Sequence, residues 1–216
     1  MGTRFLPPQS PSAELAVVCK FQQTRPKAPS SRGLVRRERR CDFAATVGVD
    51  LRPELTREEI IARNLEVVDF HFHTENPEEV EKALALYADD ITWEAPSRGV
   101  VMKDPKEVLE AYRNIFRTLA YRKTLGLRRF ATENFVFDDQ IVHVCVVGDP
   151  SLMPNMPFPK GTEVYARLVH CFQLRDGLIT REIAYELWRE LDSEIAHDDI
   201  PEDAVWEIFS ETPETN

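Results

Sequence analysis

From Tyr121 to Trp188 the chain runs through long β-branched and aromatic stretches, and this segment constrains the fold most: it demands a long antiparallel sheet. "ENFVFDD" and "QIVHVCVVG" flank Asp138-Asp139 and predict one hairpin. "TEVYARLVHCFQL" and "LITREIAYELW" flank Arg175-Asp176-Gly177 and predict a second, because an Asp-Gly pair accepts the positive φ of a tight hairpin turn. The intervening "DPSLMPNMPFPKG" holds too many prolines to sustain a ladder of hydrogen bonds, so it reads as a loop over one end of the sheet.

The preceding stretch is helical, and the same device opens each helix. Thr56-x-x-Glu59, Asn76-Pro77-x-Glu79 and Asp104-Pro105-x-Glu107 each offer a capping side chain with an acid three residues on, which suits the positive end of a helix. Proline at the first helical position forfeits no hydrogen bond. Apolar spacing extends these starts to helices over 56–74, 77–88 and 105–120, with Asp89-Asp90 closing the second. Short strands are expected at 91–95 and 100–102. The order predicts an α+β fold, three helices followed by a meander.

Residues 1–50 are rich in Arg, Pro and Ser, lack periodicity and carry a net charge of +5, against −15 for the remainder. This start is expected to be a disordered extension, with an organelle transit peptide as the alternative. An acidic main domain over 51–190 argues against a nucleic-acid partner. No apolar run reaches the ~20 residues that span a bilayer, so a cytoplasmic protein is expected. The four cysteines show no metal-ligand or disulfide spacing. The tail, 191–216, is acidic, with a short amphipathic helix expected within 201–209.

"LYADDITWEAP" and "FQLRDGLIT", in this order and at these places, make residues 56–190 resemble the nuclear transport factor 2-like superfamily, closest in texture to its SnoaL-like polyketide cyclase branch. The resemblance implies a cone-shaped barrel, with a strongly curved sheet wrapped around helices and an apolar pocket inside, often dimerising through the outer sheet face. It also implies pocket positions. In the related ketosteroid isomerases a carboxylate base precedes the strand-ending proline, and in the limonene epoxide hydrolases an amide does; here it is Ala95. The epoxide hydrolases place a tyrosine where this chain has Trp93. The acid that hydrolases and cyclases carry on the last strand is Ala184 here. The cyclases' pocket histidine matches His170, and His71 falls close to an isomerase oxyanion-hole tyrosine.

Period-two alternation groups Ala166, Leu168, His170 and Phe172 on one face, and Glu182, Ala184 and Glu186 on another. His170 and Glu182 are the expected catalytic pair. An imidazole titrates near neutrality, and burial in an apolar site should raise Glu182 toward neutrality. Against this, His170 reads as a core histidine and Glu182 as a strand glutamate paired with Arg167, Arg181 or another cation. Trp93, Ala95, Tyr112, Phe172, Ala184 and His71 are expected to contact substrate, although Tyr112 also reads as plain core. His71 and His73, two apart on a helix, point to different sides and do not suggest a shared metal. The expected function is cofactor-free acid–base chemistry on a small apolar polyketide-, steroid- or terpenoid-like carbonyl compound: isomerisation, cyclisation, dehydration or hydration. The competing reading is a ligand-binding or dimerising module without catalysis. A homodimer is expected in either case.

Overall fold

The computed structural model describes residues 17–18, 55–191, 193 and 198–209. Apart from Val17–Val18, the expected disordered extension over 1–50 lies outside the described residues. Helix α1 spans Arg57–Thr74, α2 Val80–Leu84 and α3 Pro105–Thr118. The strands are β1 (Val17–Val18), β2 (Tyr87–Ala95), β3 (Val100–Met102), β4 (Leu119–Ala131), β5 (Phe135–Val146), β6 (Glu163–Arg175), β7 (Leu178–Glu190) and β8 (Trp206–Ile208). They form one sheet in the order β1-β4-β5-β6-β7-β2-β3, with β8 also on β4. The fold is α+β. Every neighbouring pair is antiparallel except β2 with β7.

Two of the helix starts follow the capping logic. Thr56 and Glu59 form a reciprocal capping box, and the Asp104 side chain accepts from the Lys106 N–H. At the third, Asn76 accepts from the N–H groups of Glu78 and Glu79, but α2 begins only at Val80 and ends at Leu84. The segment from Tyr87 to Asp90, expected to finish that helix, instead opens β2. It pairs with Ile179 on β7, a long-range contact that helical periodicity does not register.

The first hairpin also turns elsewhere than expected. Asp138 and Asp139 sit in the middle of β5, and the reversal lies at 132–134 between β4 and β5. Both acids are buried because each has a guanidinium: Arg129 Nε donates to Asp138 Oδ1 at 2.6 Å, and Arg167 grips both oxygens of Asp139 at 2.9 and 2.8 Å. Pairing removes the solvation that would make two aspartates a turn. The second hairpin turns as expected, with Asp176 and Gly177 at φ 55° and 80°.

The tail is corrected too. Residues 206–208 form a strand against β4, not a short helix. Trp206 packs on Tyr165, and Asp198 is held by Arg167 and Arg189 across the outer sheet face. Along β7 the alternation is plain: Glu182, Ala184 and Glu186 are buried, whereas Tyr185 and Leu187 are exposed. The core lies between the inner sheet face and the helices, and among the described residues no helix is long and apolar enough to cross a membrane.

Candidate active site

Three ladder pairings bring the expected residues together. Glu182 on β7 faces Phe172 on β6 and lies in parallel register with Trp93 on β2, while His170 faces Ala184. All five sit on the inner face and are buried. Above them lies a narrow cavity of about 30 Å³, open at one end. Trp93, Tyr112, His170, Glu182 and Ala184 line it, with Met153 from the proline-rich loop. Three expected contacts are placed otherwise. Ala95, Phe172 and His71 are not in the cavity wall: Ala95 ends β2 inside the core, and Phe172 and His71 pack on each other with ring centroids 5.7 Å apart.

Three side chains hold Glu182. Tyr87 donates to Oε2, Tyr112 donates to Oε1 at 3.1 Å, and His71 Nε2 stands 3.4 Å from Oε2. Arg167 and Arg181 take other partners, Asp139 and Glu94, so the cation paired with this strand glutamate is His71. Burial opposes the charged carboxylate, but the charge and hydrogen bond of His71, with His170 and Tyr87, outweigh it and hold Glu182 at about 2. The expectation that burial lifts Glu182 toward neutrality is therefore reversed, because the carboxylate has a cationic partner and two phenol donors. His71 shows the reciprocal effect. Burial lowers its pKa, yet Glu182, and then Glu75, raise it above the ordinary histidine value. Its Nδ1 lies 3.4 Å from the Ala83 carbonyl, so a doubly protonated ring satisfies both nitrogens. Burial, followed by the negative charge of Glu182, pushes both tyrosines well above the usual phenol range, keeping them donors.

Two further groups face the cavity: His170, and Glu75, whose Oε2 lies 3.7 Å from His71 Nε2. His170 stacks on Phe172 and meets the edge of Phe72, and its Nδ1 has no hydrogen-bond partner among the described residues. Burial lowers its pKa below the ordinary value, partly opposed by Glu182 and Asp138, so the ring is neutral. Glu75, four residues after His71 at the end of α1, faces the cavity with its side chain 17% exposed. Burial pushes it up to about 8; His71 opposes the rise, and Glu182 and Asp138 reinforce it. A neutral base and a protonated acid thus share one cavity wall, beside a fixed carboxylate.

Sequence reasoning missed Glu75, Tyr87 and Arg98. The i, i+4 spacing of His71 and Glu75 was the available signal for the first. Tyr87 was hidden by its assignment to a helix. Arg98 lies in the turn after Pro96, where neither period predicts a direction. His143 faces away from the cavity, with Nε2 2.7 Å from Glu163.

The model of the SnoaL-like domain family matches residues 68–182, just over half of the chain, from within α1 to Glu182 in the first half of β7. The chain belongs to the SnoaL-like domain family. No curated protein sequence matches it. Among solved structures, a candidate SnoaL-like polyketide cyclase from Jannaschia sp. CCS1 superposes with a TM-score of 0.51 at 14% identity, over 62% of this chain and 91% of that one. A candidate polyketide cyclase from Xanthomonas campestris pv. campestris gives 0.49 at 20% identity, over 58% and 91%. An epoxide hydrolase of the limonene epoxide hydrolase-like type from M. tuberculosis gives 0.45 at 15% identity, over 59% and 84%. At such identities the likeness is one of fold, and the chemistry of this SnoaL-like domain has to be argued from its own residues.

Proposed function

We propose that this SnoaL-like domain is a cofactor-free acid–base enzyme acting on a small apolar carbonyl compound of polyketide, steroid or terpenoid type, by isomerisation, cyclisation, dehydration or hydration. The observation that carries the reading is the sharing of one cavity by neutral His170, protonated Glu75 and ionised Glu182. His170 takes a proton from carbon next to the carbonyl. Glu75 gives its proton to the carbonyl oxygen as negative charge develops there. Glu182 does not carry a proton; its charge stabilises the imidazolium formed on His170. Trp93, Tyr112, Ala184 and Met153 hold the apolar body and exclude water, with Ala95, Phe172 and His71 supporting that wall from behind.

Exposed Tyr185 and Leu187 on the outer face of β7 support a homodimer through the sheet, in a cytoplasmic protein. The alternative is a binding module of the same fold, favoured by the alanines at 95 and 184. The two part on deuterium exchange. Small aryl and alicyclic ketones incubated with the protein in D2O should lose α-protons by NMR, and His170→Ala should abolish this with circular dichroism unchanged. Equal exchange in the variant overturns the enzyme reading.

A further inference from the structure

The turn after β2 places a guanidinium inside the molecule. Residues Pro96–Arg98 form one 3-10 turn closed by Gly99 at φ 67°, and Asn155 on the proline-rich loop donates to the Arg98 carbonyl at 3.1 Å. Arg98 is 5% exposed. Its Cζ lies 5.3 Å from the centre of the Trp93 ring, and Nη2 is 3.0 Å from Glu186 Oε1. Glu186 Oε2 accepts from Ser97 Oγ at 3.2 Å and from Trp188 Nε1 at 3.0 Å. Both carboxylate oxygens are therefore engaged, and the carboxylate pins the guanidinium. Arg98 Nε, buried, has no hydrogen-bond partner among the described residues. Arg98, Glu186 and Trp188 line the same cavity as His170 and Glu75.

A buried ion pair gains little over apolar side chains of equal volume, and a buried N–H without an acceptor is a further cost to folding. Such an arrangement is explained if the free donor serves a ligand. Arg98 is matched in charge by Glu186, as His71 is by Glu182, so a ligand carboxylate would add an unmatched charge to a dry site. A neutral carbonyl oxygen would not.

We propose that Arg98 binds a second, neutral carbonyl oxygen of the substrate, which makes the substrate class a compound with two carbonyl groups. One reacts at His170 and Glu75; the other is held at Arg98. The inference rests on the acid–base reading for the first group, but its own test is binding and needs no turnover. The probes are 2-acetylnaphthalene, its oxygen-free isostere 2-isopropenylnaphthalene, and 2-naphthoate. Binding is followed by titration calorimetry and by the Arg98 Nε–H resonance in protein carrying nitrogen-15 arginine.

The ketone is expected to bind at least about tenfold tighter than the isostere, which converts to about 1.4 kcal/mol. It should also shift the Nε–H resonance downfield. In Arg98→Met/Glu186→Gln, which leaves no charge unpaired, the preference should shrink to within about twofold while the isostere still binds. Equal binding of ketone and isostere to the unaltered protein overturns the proposal. So does tightest binding of the naphthoate, or a preference retained in the double variant. If the preference is lost as expected but deuterium exchange survives His170→Ala, the acid–base scheme fails and the Arg98 site stands.

Discussion

His71 Nε2 stands 3.4 Å from Glu182 Oε2, and neither side chain is reached by water, so an ion pair joins the end of α1 to the middle of β7. Two tyrosines from other elements complete the carboxylate's bonds. Such a group resists loss of one partner far more than replacement of both. Glu182→Ala should destabilise the fold by about 3–5 kcal/mol in urea denaturation, because it strands a buried imidazolium and two phenols. Glu182→Gln should cost less and bring the His71 titration down, visible in its ring carbon resonances. A His71 pKa unaltered by either change would show that the pair is not the source of the shift.

Stability should peak in mildly acidic solution. Glu182, lowered in the fold to about 2, contributes stability that is complete above its unfolded value and is lost as pH falls from about 4.5 through 2. His71, raised in the fold, contributes below its unfolded value near 6.5 and loses that contribution as pH rises through its folded value. Glu75 acts in the same alkaline sense. The folded state holds its proton up to about 8 while the unfolded chain releases it near 4.5, so stability falls between those values as pH rises. Burial holds His170 neutral while the unfolded imidazole takes a proton below about 6.5, which offsets the Glu75 loss up to that pH. Thermal unfolding from pH 3 to 9 should therefore give a maximum between about 4.5 and 6.5. A maximum above pH 8 would contradict these assignments.

Glu75→Gln keeps a donor at the cavity wall and removes its titration. The fall of stability between pH 6.5 and 8 should become shallower, with only His71 left to drive it. If Glu75 is the acid of the reaction, α-proton exchange should drop about 10²- to 10⁴-fold, the ordinary range for losing one acid–base group. Its alkaline limb near pH 8 should vanish in whatever activity remains. Full exchange with the limb unaltered would remove Glu75 from the scheme.

The inner face of the sheet was legible because period-two alternation is dictated by backbone geometry alone. Once β6 and β7 were placed, His170, Glu182, Ala184 and Glu186 had to share a side. The state of those groups was not legible. Glu182 is ionised because Tyr87, Tyr112 and His71 arrive from three other elements, and none of them is near it in sequence. Helix α1 shows the same limit. Its buried line is Ile61, Asn64, Val68, His71 and Thr74, not the most apolar line available. Asn64 is turned inward because its amide bonds the carbonyls of Thr132 and Glu133 at the β4–β5 turn. Asp138-Asp139 misled for a related reason: the arginines that neutralise them come from neighbouring strands.

Gly148 offers a test of how the cavity wall is held from outside. Its N–H and that of Val147 both bond the Thr118 carbonyl, at 3.1 and 2.8 Å, which ties the exit of β5 to the end of α3. A Cβ at position 148 would lie 1.9 Å from the Arg117 carbonyl oxygen and 3.0 Å from Thr118 Cα. Both are backbone atoms, so no flexible side chain can step aside. Gly148→Ala must push α3 away from the strand, and overpacking of this kind costs about 1–3 kcal/mol before the two hydrogen bonds are counted. For a domain of this size a loss of about 3 kcal/mol lowers Tm by roughly 6–12 °C. Helix α3 carries Tyr112 and Ile115 to the cavity, so the displacement should also lengthen the Tyr112–Glu182 bond and let the Tyr112 hydroxyl exchange faster with solvent. An alanine variant with unaltered Tm and a slowly exchanging Tyr112 hydroxyl would mean that α3 is free to move without disturbing the site.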